Sequence, residues 1–264
     1  MTAVPIKFDR HYRCRIQMAL NEHTKSFLKI DGDFGPKSVA VLRQYQQQCK
    51  LPVTGVYDDA TQKLLGPFIA TKYLMEQDFI DAAKALSCEI AAVKTVVQVE
   101  AGGDGFLPSG DCDILFERHH FRRYLIKAYP LASVNVMQQQ FPGIISASPG
   151  GYQGGQKEWE RFTLALSLDK EAAMLSTSWG MFQIMGFNHK TAGYETVQAF
   201  VEAMQKSEKN HLKAFVSFIK ADPRLARAFI RKDWPSFAEA YNGPSYAKNK
   251  YDVKMAQAYK ALVG

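Results

Sequence analysis

The chain repeats itself. Residues 30–42 read IDGDFGPKSVAVL and residues 53–65 read VTGVYDDATQKLL, so two copies of one unit follow each other at an offset of 23 residues. Ile30 matches Val53, Gly32 matches Gly55, Phe34 matches Tyr57, Ser38 matches Thr61 and Leu42 matches Leu65. Each copy has the same physical order: a glycine for a tight turn, an aromatic two residues on to pin that turn to a core, then Ser or Thr opening a helix. Between the copies Val39, Leu42, Arg43 and Gln46 keep helical spacing. The pattern ends where Leu64-Leu65 runs into Gly66-Pro67, a helix-breaking pair. It predicts a small helical module from about Arg13 to Gly66, and a first domain over residues 1–70.

Residues 71–264 read differently. The helical pattern is nearly continuous: Val197, Phe200, Val201 and Met204 share one face, and Leu212, Phe215, Val216 and Ile219 share the next. Asp222-Pro223 and Asp233-Trp234-Pro235 look like helix starts, with Asp as N-cap and Pro near the first turn. The β-like signal is short, Ile114 to Phe116, inside a stretch from Gly102 to Gly155 that reads as irregular. The expectation is a mainly α chain: a small three-helix module, then an α-dominated lobe of eight or more helices with a short β element.

Composition narrows the function. With 264 residues, 47% hydrophobic and 22% charged, the chain can bury a real core. No apolar run approaches the roughly 20 residues that span a bilayer. The start, MTAVPIKFDRHYRCR, has cations but no apolar stretch after them, so the expectation is a protein made in the cytosol without a secretory signal. The cysteines, Cys14, Cys49, Cys88 and Cys112, form no CxxC pair, which argues against structural zinc and for free thiols, with a Cys14 to Cys49 bridge as the alternative. The net charge is +7, and from Lys206 onward twelve Lys and Arg stand against five Asp and Glu. That excess favours a polyanionic partner or simply a solvated basic face; no nucleic-acid motif accompanies it.

Two stretches carry candidate chemistry. In SCEIAAVKTVVQVEAGG, Ser87 to Gly103, Ser87 can cap a helix that Gly102-Gly103 would stop, and Val93, Val96, Val97 and Glu100 fall at i, i+3, i+4 and i+7. Glu100 thus continues an apolar face, where burial should raise its pKa toward the range of a proton donor; a capping or solvent-reaching glutamate is the alternative. In STSWGMFQIMG, Ser176 to Gly186, Gln183 is the one strongly polar side chain in an uncharged run bracketed by two glycines. Such a glutamine can hold a ligand hydroxyl or amide at a cleft wall, or satisfy buried backbone groups.

These stretches resemble known families. IDGDFGPKSVAVLRQYQQQCKLPVTGVYDDAT is similar to the peptidoglycan-binding domain of wall-lytic enzymes, with Tyr45-Gln46 at its FQ pair and Thr54-Gly55 at its second DG. That resemblance implies a polymer groove beside Asp31, Phe34 and Tyr57. SWGMFQIMG and AEAYNGPSY resemble the G-L-M-Q-I and A-Y-N-x-G stretches of the lysozyme-like superfamily, in the family's order after a catalytic glutamate: Glu100, Gly180 to Gln183, Tyr241-Asn242. QVEAGGDGFLPSGDCDILFERHHF and GGYQGGQKEWERF resemble the N-acetylmuramidase domain of modular phage endolysins, over roughly residues 75–264.

The resemblance implies cleavage of the β-1,4 bond between N-acetylmuramic acid and N-acetylglucosamine, with Glu100 as general acid. It makes Glu117 the first choice for a second carboxylate, ahead of Asp104, Asp111, Asp113, Glu158 and Glu160, unless Glu117 pairs with Arg118, Arg122 or Arg123. Without a second carboxylate the sugar's own hydroxyl would attack and leave a 1,6-anhydro end, as in lytic transglycosylases. Gln183, Gly180, Tyr241, Asn242 and Trp179 would bind substrate, with Tyr152 and Trp159 also able to stack on sugars. Glu117, His119 and His120 invite a zinc amidase or peptidase reading, but adjacent histidines point about 100° apart on a helix and no H-E-x-x-H occurs. The expected partner is bacterial peptidoglycan, with no cofactor, metal, nucleic acid or stable membrane insertion, and a monomer. It would be made in the host cytoplasm and act in the periplasm once the membrane is opened.

Overall fold

The computed structural model describes residues 10–100, 105–243 and 246–264, with His11, Asn242, Tyr246 and Lys248 as backbone only. The glycines Gly102-Gly103 and the carboxylate Asp104 lie outside the described residues. The chain divides into two compact units. One ends at Leu74 and also takes in Phe106–Asp111; the other comprises Met75–Gly105 and Cys112–Gly264.

The first unit holds α1 (Arg10–Thr24), α2 (Pro36–Gln48) and α3 (Asp59–Lys72). Its repeat has a structural cause that the offset alone did not display. After α1 and again after α2 the chain makes a tight turn through a glycine at positive φ, Gly32 at 74° and Gly55 at 72°. The glycine amides of these turns are paired by a buried glutamine from the preceding helix. The Gln17 side-chain oxygen accepts from Asp31 N at 3.1 Å and Gly32 N at 2.7 Å, while its amide donates to Asp33 O at 3.0 Å. Gln46 repeats the device, accepting from Gly55 N at 2.8 Å and donating to Val56 O at 2.8 Å and Thr61 Oγ1 at 3.0 Å. Leu20, Leu42, Leu65 and Ile69 fill the space between the helices.

Helix α3 does not stop at Gly66-Pro67 but runs on to Lys72. A proline inside a helix costs about 3 kcal/mol. Burial offsets it: Ile69 is fully enclosed, and the Lys72 ammonium pairs with Glu22 at 2.6 Å and donates to Gly110 O at 2.9 Å. Here tertiary contacts override the local signal.

The second unit begins with α4 (Glu76–Leu86) and α5 (Ile90–Glu100). Ser87 ends α4 in the left-handed region, φ 53°, rather than capping α5. A three-stranded antiparallel sheet follows, β1 (Ile114–Phe116), β2 (Thr177–Trp179) and β3 (Ile184–Met185), in that order, with Ile114 opposite Trp179 and Trp179 opposite Ile184. Between β1 and β2 lie α6 (Arg118–Ala128), α7 (Leu131–Gln140), α8 (Gln156–Leu168) and α9 (Lys170–Leu175). The stretch expected to be irregular therefore contains two helices; α6 is so rich in cations that only Phe121 and Leu125 mark its buried face. After β3 come a 3-10 turn (Gly186–Asn188), α10 (Val197–Lys206), α11 (Glu208–Ala221), α12 (Pro223–Arg231), α13 (Trp234–Asn242), α14 (Tyr246–Asn249) and α15 (Tyr251–Val263). Asp222 and Asp233 cap α12 and α13 as expected, accepting from Arg224 N at 2.8 Å and Ser236 N at 3.3 Å. The four cysteines are free thiols, so no Cys14 to Cys49 bridge forms.

One buried ion pair anchors β1. Glu158, fully enclosed, accepts from Phe116 N at 3.1 Å, Gln153 N at 2.6 Å and Arg161 Nη1 at 2.6 Å. Arg161 in turn donates to Phe116 O and Gly143 O. Burial works to raise the Glu158 pKa, yet the backbone amides of Gln153, Phe116 and Gly154 and the guanidinium outweigh it and hold the carboxyl below its ordinary range. A carboxyl depressed on folding contributes stability above its unfolded pKa, near 4.5, and that contribution is lost as pH falls through the folded value. Arg161→Met, which strands the carboxylate, should lower unfolding stability by about 3–5 kcal/mol. It should also shrink the acid-dependent loss; urea midpoints of both proteins from pH 7 down to pH ~3 check this, and unchanged midpoints would make the pair dispensable.

Candidate functional site

Helix α5 turns Val93, Val96 and Val97 inward, and one turn further along the same face Glu100 emerges half-buried at its end. It opens into a cleft of about 270 Å³ lined by Phe182, Gln183, Met185, Asn188, Phe218, Tyr241 and Tyr251 besides Glu100. Glu100 is the only carboxylate among these lining residues. The volume lies just under the range that encloses a drug-sized ligand, so the cleft takes part of a molecule and leaves the rest outside.

Besides α5 and α11, which carry Glu100 and Phe218, four elements converge here. The β2–β3 hairpin presents Phe182 and Gln183, the 3-10 turn presents Asn188, α13 presents Tyr241 and the first turn of α15 presents Tyr251. The Tyr241 hydroxyl donates to Phe182 O at 3.0 Å, and its ring stacks on Phe237 with centroids 5.6 Å apart. Burial, then the charge of Glu100, raises the pKa of both Tyr241 and Tyr251, which keeps both phenols protonated.

The hairpin explains the apolar run. Its turn, Gly180 to Gln183, takes positive φ at both ends, 68° at Gly180 and 47° at Gln183. Gln183 holds that strained conformation with its own side chain, donating to Gly180 O at 2.9 Å and accepting from Ser178 Oγ at 2.6 Å. It lines the cleft as well. Gly180 does not line the cleft. A side chain there would strike the ring of His211, whose Nδ1 accepts from Met181 N at 3.2 Å and whose Nε2 donates to Met204 O at 2.6 Å. Gly180, expected to bind substrate, is thus packed against a buried histidine.

Other expected residues are placed elsewhere. Trp179 is 1% exposed, set edge-on between Trp159 and Phe162 with its N–H on Met174 O, so neither ring face is open to a sugar. Glu158 is consumed by its ion pair, and Glu160 is exposed away from the cleft lining. Glu117 precedes α6, outside the cleft lining. Its carboxylate accepts from Tyr152 Oη at 3.0 and 2.9 Å and lies 3.2 Å from His119 Nδ1, so its partners are a phenol and an imidazole rather than the arginines considered. The Asn242 side chain lies outside the described residues. Tyr251, Asn188 and Phe218 were missed; of these only Asn188, just beyond the glutamine motif, carried a signal.

In the first unit a second concavity, about 560 Å³, is lined by Gln17, Phe27, Lys29, Asp31, Asp33 and Lys37, among others. Asp31 stands in it as expected, its carboxyl held below the ordinary range by the Asp33 amide and Gln17. Phe34 is half-buried beside it, and Tyr57 is 5% exposed, a core residue pinning the second turn rather than a surface one.

Comparison with known proteins places both units. Residues 89–263 match the N-acetylmuramidase family and residues 13–65 the peptidoglycan-binding domain family. The chain is similar to the crystal structure of the Burkholderia AP3 phage endolysin, at 36% identity and a TM-score of 0.68, over 96% of this chain and 95% of that one. No curated protein matches it.

The hairpin analysis yields a test. Gly180→Ala adds a left-handed Ala, about 1–2 kcal/mol, and drives a methyl into the His211 ring, so the urea midpoint should fall clearly. A midpoint equal to the parent's would mean the turn tolerates a side chain and is not fixed by His211.

Proposed function

The chain belongs to the N-acetylmuramidase family, and from that premise we propose that Glu100 delivers the proton on which cleavage depends. The protein is a peptidoglycan-degrading endolysin, a glycoside hydrolase with N-acetylmuramidase activity. The single observation that carries the assignment of Glu100 is its position: among the described residues that line the cleft it is the one carboxylate, the others being phenols, amides and apolar side chains.

In the proposed reaction a glycan strand lies across the cleft with the oxygen between N-acetylmuramic acid and N-acetylglucosamine beside Glu100. The carboxyl gives its proton to that oxygen as the C1–O bond breaks and positive charge develops at C1; water then adds to C1 and gives its proton back to the Glu100 carboxylate, leaving a reducing end. Tyr251 and Asn188 offer donors to the flanking sugars. Gln183 is already anchored by Ser178 and Gly180 and has a remaining lone pair on Oε1 for a hydroxyl or an N-acetyl N–H. Tyr241, tied to Phe182 O, holds the hairpin against α13 and keeps the cleft's shape. Glu117 receives a different assignment from the one its motif suggested: through Tyr152 it tethers the loop before α8 to the start of α6, and it takes no part in proton transfer.

We also propose the division of labour: residues 1–70 hold the wall and residues 71–264 cut it, as a monomer without nucleic acid as partner. The proposed route is synthesis in the host cytoplasm followed by action in the periplasm once the inner membrane is opened. Among the described residues no helix is long and apolar enough to cross a membrane.

Removing a general acid typically costs about 10²–10⁴-fold in rate. Glu100→Gln should lose that much wall-clearing activity while keeping its melting temperature, and Glu117→Gln should stay within a few-fold of the parent. Mass spectrometry of the fragments released from purified peptidoglycan should find reducing N-acetylmuramic acid ends. An active Glu100→Gln protein would remove the assignment; anhydro ends, lighter by one water, would replace hydrolysis with attack by the sugar's own hydroxyl.

A further inference from the structure

Phe27 is 91% exposed, more than any other large apolar side chain among the described residues. Exposure alone would mean little, since single apolar residues are common on surfaces. Three further features set it apart.

The backbone beside it is fixed. Asn21, itself 1% exposed, holds both polar groups of the next residue, accepting from Leu28 N at 2.7 Å and donating to Leu28 O at 2.9 Å. Thr24 and Ser26 join hydroxyls at 2.8 Å just before it. The ring is therefore displayed on a rigid support, which lowers the entropic cost of using it to bind.

The neighbours alternate. Phe27 is exposed, Leu28 buried, Lys29 exposed, so the ring and the Lys29 ammonium emerge on one side, and both line the 560 Å³ concavity. The concavity also carries an exposed Lys37, and its floor is the Gln17 amide, locked by the turn it satisfies. The last feature is chemical: an open aromatic face stands beside Lys37 and Lys29, the latter 3.5 Å from Asp31 in the same concavity, and this mixed-charge rim suits a ligand that has an apolar C–H face together with hydroxyls and carboxylates.

We propose that Phe27 is the stacking platform of the wall-binding unit, receiving a pyranose ring of the glycan strand while Lys29 and Lys37 meet the carboxylates of the same strand. This rests on the reading of the first unit as wall-binding, and extends it from a domain to a residue. The ligand is peptidoglycan glycan carrying its lactyl and peptide carboxylates, and binding here is separate from the Glu100 cleft.

The test uses the full chain with Glu100→Gln, so that the wall is not consumed, and measures binding to purified peptidoglycan sacculi by sedimentation. Phe27→Ala should weaken binding about 3- to 10-fold, while Phe27→Trp keeps it. Melting temperatures should match the parent, because the ring packs on almost nothing. A Lys29→Glu/Lys37→Glu double variant separates the failures. If Phe27→Ala binds normally and the double variant does not, the platform is wrong and the wall-binding groove stands. If neither variant weakens binding, both the platform and the groove are wrong and the wall is held elsewhere. If Phe27→Trp is as weak as Phe27→Ala, stacking is not the interaction and the proposal fails.

Discussion

A tight turn that is buried cannot leave its amides unpaired, and most of what distinguishes this chain follows from how it meets that demand. An unsatisfied buried amide costs about 1–3 kcal/mol, comparable to the loss of a whole side-chain contact. At each turn that shapes a site, one enclosed polar side chain supplies the partners. Gln17 and Gln46 do so for the two glycine turns of the first unit, and Asn21 does so for the segment after α1 that displays Phe27. In the second unit Glu158 serves β1 and the loop before α8, Glu208 accepts from Gly105 N, and His211 accepts from Met181 N in the hairpin. These side chains are costly to bury and they make the turns unique, because each fits one backbone arrangement only.

The cleft inherits its rigidity from this. Its carboxylate rides on α5, which packs along α15, while its opposite wall is a four-residue turn clamped from beneath by His211 and from the side by Tyr241. Both walls are thus set by core packing and not by free loops. The phenols contribute electrostatically too: with their pKa values raised, Tyr241 and Tyr251 stay neutral next to a carboxylate and add no negative charge of their own beside Glu100.

Much of this was legible in the sequence, and the limits are physical. Periodicity found α10, α11 and the apolar face that ends in Glu100, because a helix buries one stripe and the stripe is local information. The capping aspartates Asp222 and Asp233 were readable for the same reason. Gly66-Pro67 misled because Ile69 and Lys72 gain partners far along the chain, which no window sees. The α6–α7 stretch was missed because its exposed faces carry most of its residues. Aromatic roles were least legible: Trp179 and Phe27 differ only in whether other elements cover the ring, and coverage is decided by the fold. Motif order brought Glu100, Gln183 and Tyr241 to one cleft, yet it equally promoted Gly180, Trp179 and Glu117, which are not among the residues that line it.

The two kinds of glycine and glutamine in the motif show why fold and function are hard to separate here. Gly186 is needed because a side chain there would lie 2.0 Å from Met174 O, and Gly180 because it would meet His211. Neither is among the residues that line the cleft, yet both determine where Gln183 stands. Gln183 itself spends both amide hydrogens and one oxygen lone pair on its own turn, and only what remains faces the cleft. A residue in that position cannot be exchanged for one that merely binds a ligand, since the turn would lose its internal partners. Asparagine would keep the amide and lose the reach; glutamate would keep the reach and turn two donors into repelled acceptors facing Gly180 O and Asp113 O. The motif is strict because a single side chain closes the turn and lines the cleft.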